Sequence, residues 1–144
     1  MRIKDVLAAK ATGPVVTIAP AASVRDLLAM LAEHNIGAVV VSDDGERVLG
    51  IVSERDVVRR LADGDAVLDA GIEQIMTTDV RVCEPGDGLD DLMRLMTEHR
   101  IRHVPVVQEA RLTGLVSIGD AVKSRISELE FERDQLSNYV AGSQ

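Results

Sequence analysis

Val24, Leu27, Leu28 and Leu31 recur at the i, i+3, i+4, i+7 spacing of an amphipathic helix, and Leu89, Leu92, Met93 and Met96 repeat that spacing further along. Each predicted helix reaches a histidine, His34 or His99. An apolar run follows, Val39 to Val41 or Val104 to Val106, that reads as a strand. Asp43-Asp44-Gly45-Glu46 then carries an Asp-Gly turn signal between two β-rich runs, the mark of a hairpin, and Gln108-Glu109-Ala110 stands at the matching place. Upstream, Ile3-Lys4-Asp5-Val6-Leu7 and Ile72-Glu73-Gln74-Ile75-Met76 share a short helical pattern. Thr17-Ile18-Ala19-Pro20 and Val82-Cys83-Glu84-Pro85 share that of a strand ending at proline.

The chain is a repeat. Shifted by 65 residues it lies on itself, and the shift falls to 64 after the second turn, which is one residue shorter. Each copy reads as a short helix, a strand, a helix, a hairpin and a final helix. About three strands cannot cover both faces of their own sheet, so the two copies are expected to pack sheet against sheet about a pseudo-two-fold axis. The first copy is assigned to residues 1–66 and the second to 67–127, with an acidic, small-residue linker from Asp63 to Gly71. Beyond Lys123, apolar Ile126, Leu129, Leu136 and Val140 keep a three-and-four spacing interrupted by Arg133. Residues 128–144 are therefore read as a C-terminal helical extension that packs on the body or on a second subunit.

Composition narrows the chemistry. At 144 residues and 46% hydrophobic content the chain can bury one core, or two small units sharing one. With one Phe, one Tyr and no Trp, a ligand pocket would be made of aliphatics and backbone. The net charge of −8 argues against a nucleic-acid surface, which needs a basic stripe, but leaves room for a small anion in a local basic pocket. Cys83 is the single cysteine, which excludes an intramolecular disulfide and the usual zinc spacings and suits a reducing compartment. Charges at Arg2, Lys4, Asp5 and Lys10 interrupt any signal-peptide core, and no later run approaches the roughly 18 residues of a membrane span. A cytoplasmic protein without membrane contact is expected.

The sharpest motif is Gly-aliphatic-aliphatic-Ser-x-x-Asp, written as Gly50-Ile51-Val52-Ser53-Glu54-Arg55-Asp56 and again as Gly114-Leu115-Val116-Ser117-Ile118-Gly119-Asp120. A structural role comes first: Ser at a helix N-cap with Asp three residues on forms a capping box, and Ser23 with Asp26 shows the same spacing with no hint of a ligand. Three features add a binding role. The motif glycine permits close approach at a strand end that meets a helix N-terminus, where amides face anions. An ionised Asp can accept both hydroxyls of a ribose diol. Arg55 and the Arg102-His103 pair could meet a phosphate.

The ordered segments, with Ile101-Arg102-His103-Val104-Pro105-Val106-Val107 and Gly-Leu-Val-Ser-x-x-Asp among them, resemble the CBS domain, the cystathionine-β-synthase repeat that occurs in tandem pairs. The resemblance covers residues 1 to about 126 and is closest to stand-alone bacterial pairs. It implies an α/β fold of two β-α-β-β-α repeats packed sheet to sheet, plus a C-terminal helix. It further implies a homodimeric sensor of adenosyl ligands (AMP, ADP, ATP, NAD(H) or S-adenosylmethionine) bound between the repeats, with no catalytic cofactor. Carried over, one cleft would use Ser53, Arg55 and Asp56 with Thr77, Thr78, Val80 and Ile101. The other would use Ser117 and Asp120 with Thr12, Gly13, Val16, Ile36 and Gly37, while Arg102 and His103 reach the phosphates. Gly119 stands where Arg55 stands, and Gly37-Ala38 where Arg102-His103 stand, so the clefts are expected to hold phosphate unequally.

Other chemistry is weaker. His34 and His99 at helix ends suit a structural role, and a strand starting between His99 and His103 removes helical metal-ligand geometry. No Gly-x-Ser-x-Gly elbow accompanies Ser53 or Ser117, so no catalysis is expected. Cys83, within the second apolar strand, is expected to be buried. Two further readings stay open: a constitutive dimerisation or scaffold module with empty clefts, and a small hydrolase.

Overall fold

The computed structural model describes residues 1–10 and 13–142. In chain order it contains α1 (Ile3–Lys10), β1 (Thr17–Ile18), α2 (Val24–His34), β2 (Ala38–Val41), β3 (Gly50–Ser53) and α3 (Glu54–Leu61). Two 3-10 turns, Asp65–Asp69 and Ile72–Gln74, lead to α4 (Leu89–His99), β4 (His103–Gln108), β5 (Arg111–Ser117) and α5 (Ile118–Gly142). β1 lies parallel to β2, which pairs antiparallel with β3; β4 and β5 form a second antiparallel sheet. The mixed α/β architecture is the expected one, with the C-terminal helix in place.

Two expected elements are reduced. At 82–85 the strand shrinks to Cys83, whose amide donates to the Pro105 carbonyl (3.0 Å) and whose carbonyl accepts from Val107 N–H (2.8 Å). These bonds hold Cys83 parallel to β4, as β1 is held beside β2. The helix expected at 72–76 is a single 3-10 turn. Its continuation is captured at once by β3, since Thr77 exchanges both backbone hydrogen bonds with Ile51 (2.8 and 2.9 Å).

Local signals set the helices. Ser23 and Asp26 close a reciprocal capping box on α2 (both bonds 3.1 Å), and Asn35 ends the helix in the left-handed region at φ 51°. Arg100 ends α4 in the same way at φ 53°. Val24, Leu27 and Leu31 bury one face of α2, while Leu89, Leu92 and Met96 bury the equivalent face of α4. Each such side chain contributes roughly 1.5–3 kcal/mol through burial. Leu28 sits outside that stripe and is exposed.

The two halves complete each other's cores. Ile72 and Ile75 join Ile18, Val24, Leu27, Val39, Val41, Val52 and Val57 in one cluster. Ile3 and Val6 join Cys83, Leu89, Leu92, Val104, Val106 and Val116 in the other. Each leading segment is therefore exchanged. Residues 71–73 bond the backbone at Pro20 and Ala22, whereas Ile3 and Lys4 bond that at Asp87 and Pro85. Val39 and Val41 turn toward α2, so Ala38 and Val40 occupy the opposite face by strand alternation; both are buried. A Cβ at Gly37 would lie 3.6 Å from the His103 ring, which puts that inner face against the second repeat.

The motif glycines record the exchange. A Cβ on Gly50 would stand 2.8 Å from the Thr77 carbonyl oxygen and 2.9 Å from Met76 Sδ; one on Gly114 would stand 2.8 Å from both Leu7 methyls. The close approach foreseen at these glycines is made by the exchanged leading segments.

α5 runs unbroken through the start of the expected extension at 128. Its 25 residues span roughly 37 Å at 1.5 Å per residue. Ala121 and Ser124 are buried against the body, and Arg125 pairs with Asp90 (3.8 Å) and with Glu128, which also meets the Met1 amine (3.0 Å). Past Glu128 the helix is exposed, including Leu129, Phe131, Leu136 and Tyr139. No helix among the described residues is long and apolar enough to cross a membrane.

Candidate functional site

Both Ser-x-x-Asp motifs start helices directly from strands. The Asp56 carboxylate accepts from the Ser53 amide (2.8 Å) and the Ser53 hydroxyl (3.1 Å). Asp120 accepts from the Ser117 amide (2.9 Å), while Ser117 Oγ accepts from the Asp120 amide (3.1 Å). The capping role expected of the motif is therefore real, and it orients each carboxylate at a helix N-terminus beside a cavity between the repeats.

The first cavity has a volume of about 220 Å³. Ser53 lines it from the end of β3, Arg55 and Asp56 from α3, Thr77 and Val80 from the exchanged segment, and Ile101, Arg102 and His103 from the approach to and start of β4. Gly37 lines it as well. Thr78 does not. Arg102 thus sits in the first cavity and not with Asp120, where it was expected. Its carbonyl does reach the second motif, accepting from Ile118 N–H (2.8 Å), but the residue lines the first cavity and not the second.

Sequence reasoning missed Arg59, Arg81 and Arg100, which bring the guanidinium groups around this cavity to five, against the carboxylates of Glu54, Asp56 and Asp79. Among the described residues none of the five forms an ion pair. Arg59 was legible in principle: one helical turn beyond Arg55, it shares that face of α3. A protein of net charge −8 thereby holds a local basic pocket.

The second expected cleft is divided. Ser117, Asp120, Gly37, Ile36 and His103 line a cavity of about 610 Å³, whereas Gly13, Val16 and again Ile36 line an adjoining one of about 410 Å³. Thr12 lies outside the described residues. Lys10 lines both cavities and was not foreseen. Its Nζ pairs with Asp120 Oδ2 (2.9 Å) and donates to the Leu115 carbonyl (2.8 Å). For Asp120, partial burial works to raise the carboxyl's pKa, but the Ser117 amide and the Lys10 ammonium outweigh it and hold the group below its ordinary range. His103, between the two sides, is pushed down, first by burial and then by Lys10.

The remaining candidates fall where packing puts them. His34 and His99 are exposed last residues of α2 and α4, and His103 begins a strand. Cys83 is buried, and that burial, with Asp87 nearby, pushes its thiol up to about 12, far from a reactive thiolate.

Comparison with known proteins agrees with this geometry. Residues 3–63 and 72–127 each match the CBS domain. The chain belongs to the CBS domain family. A crystal structure of a CBS-domain-containing protein from Agrobacterium tumefaciens is 44% identical, superposes with a TM-score of 0.82, and aligns over 87% of this chain and 99% of its own. The mitochondrial CBS domain-containing protein CBSX3 of Arabidopsis thaliana is 34% identical over 83% of this chain, which spans 61% of that relative's length. A CBS domain protein from Pyrobaculum aerophilum, solved with AMP, is 30% identical with a TM-score of 0.73, over 83% of this chain and 89% of its own. The CBS pair of protein MJ0100, solved with 5′-methylthioadenosine and S-adenosylmethionine, is 26% identical with a TM-score of 0.75, over 85% and 98%. This CBS pair thus has the fold of stand-alone CBS proteins.

Proposed function

We propose that this CBS pair is a regulatory module that binds an adenine nucleotide (AMP, ATP or NAD(H), with S-adenosylmethionine as the further adenosyl candidate) and reports it by a change of shape or of protein partner. The observation that carries the reading is the first cavity: five arginines, none of them in an ion pair among the described residues, line it together with Asp56 at a helix start. Asp56, acceptor-only when ionised, takes the ribose diol; Arg55, Arg102 and their neighbours take the phosphates. The adenosyl ligands bound by two structural relatives support the same class. At about 220 Å³ the cavity is smaller than the roughly 300–1,000 Å³ of sites that enclose a small molecule. A whole nucleotide therefore stands partly in solvent or parts the repeats, and the second outcome is a signal, because the ligand favours one arrangement by its difference in affinity.

Thermal unfolding with AMP, ATP, NADH and S-adenosylmethionine tests the proposal. A ligand at about 100 times its dissociation constant adds roughly 2.7 kcal/mol of stability. No shift with any of the four would refute it.

The scaffold reading draws on a separate observation. Val58 of α3, 65% exposed, and the apolar positions of α5 beyond residue 128 present surface that a second copy could cover. A homodimer formed through these helices serves either reading. Sedimentation equilibrium of the wild type and of Leu129→Asp with Leu136→Asp tests it: the wild type is expected at twice the chain mass and the double variant at one.

A further inference from the structure

We infer that Lys10 blocks the ribose position of the second cleft, so that one chain takes one adenine nucleotide tightly, in the first. The inference rests on the nucleotide reading above and deepens it. Two independent features of the molecule lead to it.

The first is what occupies equivalent atoms in the two halves. In the first half the carbonyl of Ile51 accepts the backbone amide of Thr77 (2.8 Å), and among the described residues the Asp56 carboxylate is bonded only by Ser53. The Ser53 hydroxyl can rotate away at little cost, as Ser117 shows by accepting from the Asp120 amide instead. In the second half the carbonyl of Leu115, in the place of Ile51, accepts the Lys10 ammonium, which at the same time sits 2.9 Å from Asp120 Oδ2. A ribose diol would have to displace a cation held by two charge-assisted bonds, one of them to the very carboxylate it needs. Thr77, Asp79, Val80 and Arg81 line the first cavity from its own exchanged segment, and among the described residues none of them, Arg81 included, pairs with Asp56.

The second feature is shape. Lys10 lines both cavities that divide the expected second cleft, the one with Asp120 and the one with Gly13 and Val16, as do His34, Ile36, Ala38 and Leu115. The difference begins with local structure. α1 stays helical through Lys10, which projects its last residue across β5, whereas the 3-10 turn Ile72–Gln74 ends at once in the bridge from Thr77 to Ile51.

Isothermal titration of the full chain with AMP tests this. The wild type is expected to bind one AMP per chain, and Asp56→Ala to abolish that site. Lys10→Ala, which removes the cation, is expected to bind two, the second at least tenfold more tightly than the wild-type second cleft. Lys10→Gln, which keeps the length without the charge, is expected to fall between and guards against a variant that does not fold. Two equal sites in the wild type would overturn the inference. So would a Lys10→Ala chain that still binds one, or one that binds less tightly, which would make Lys10 a ligand contact. In those cases loss of binding in Asp56→Ala leaves the first-cleft reading standing. If Asp56→Ala binds like wild type, or no chain binds AMP, this inference falls, and the nucleotide reading falls with it when ATP, NADH and S-adenosylmethionine also leave thermal unfolding unchanged.

Discussion

Replacing Gly50 with alanine should be much more damaging than replacing Gly114, although the two occupy the same position in the repeat. At Gly50 the new methyl lands 2.8 Å from a backbone carbonyl, that of Thr77, and 2.9 Å from Met76 Sδ. The carbonyl cannot yield alone, because it accepts from Ile51 N–H at 2.9 Å and the Thr77 amide returns the bond at 2.8 Å. Relief requires either breaking a pair of net value about 1 kcal/mol each or shifting the strand. Overpacking of this kind costs about 1–3 kcal/mol, and alanine's lower unfolded-state entropy returns about 0.4–1 kcal/mol. A net loss of about 1–2 kcal/mol is expected. At Gly114 the clash is with the two terminal methyls of Leu7, which is only half-buried and can change rotamer. There the clash and the entropy gain should cancel to within about 1 kcal/mol. Urea denaturation followed by circular dichroism gives both values from the shift in midpoint at constant slope. Gly50→Ala should also weaken nucleotide binding, since Thr77 lines the first cavity. Equal losses in the two variants would show that the exchanged segments are not rigidly seated, and the reasoning would fail.

Three other outcomes can be measured. Glu109 and Ala110 turn the second hairpin at φ 52° and 64°, a left-handed conformation that costs a non-glycine residue about 1 kcal/mol; Ala110→Gly should raise the urea midpoint accordingly. His103 is pushed down chiefly by burial, then by Lys10 and Arg102 against Asp120 and Glu54. The folded state thus binds fewer protons than the unfolded one below the ordinary value of 6.5, and stability should fall as pH drops through that window. His103→Gln should flatten the slope between about pH 7.5 and 5.5 in urea titrations. Arg102→Ala should weaken AMP by about tenfold or more in calorimetry while leaving adenosine nearly unchanged; equal loss for both would remove Arg102 from the phosphate.

Periodicity carried the helices and hairpins well, because α2 and α4 expose their packing face in the spacing of Val24, Leu27 and Leu31 and of Leu89, Leu92 and Met96. The Ser-x-x-Asp boxes were equally legible, since capping is a local interaction. Exchange of the leading segments was not. Ile3, Val6 and Leu7 have the same pattern as Ile72, Ile75 and Met76, so either set fits either core, and only the path of the chain decides. Lys10 escaped notice because the interval between leading segment and strand differs in length between the halves, which leaves it without an aligned counterpart. Arg102 lines the first cavity although its carbonyl bonds the start of the second motif's helix, a double attachment that alignment of the repeats does not reveal.

The exchange also has a consequence in time. Every residue of the first cluster lies between Val16 and Met76, an uninterrupted stretch that can collapse on itself as soon as it has left the ribosome. The second cluster needs Ile3, Val6 and Leu7 together with residues as late as Ala121. α1, made before every strand it packs on, is thus among the last elements to find its place, and the loop its backbone bonds close runs from Ile3 to Asp87. Folding of the second half should be the slower phase.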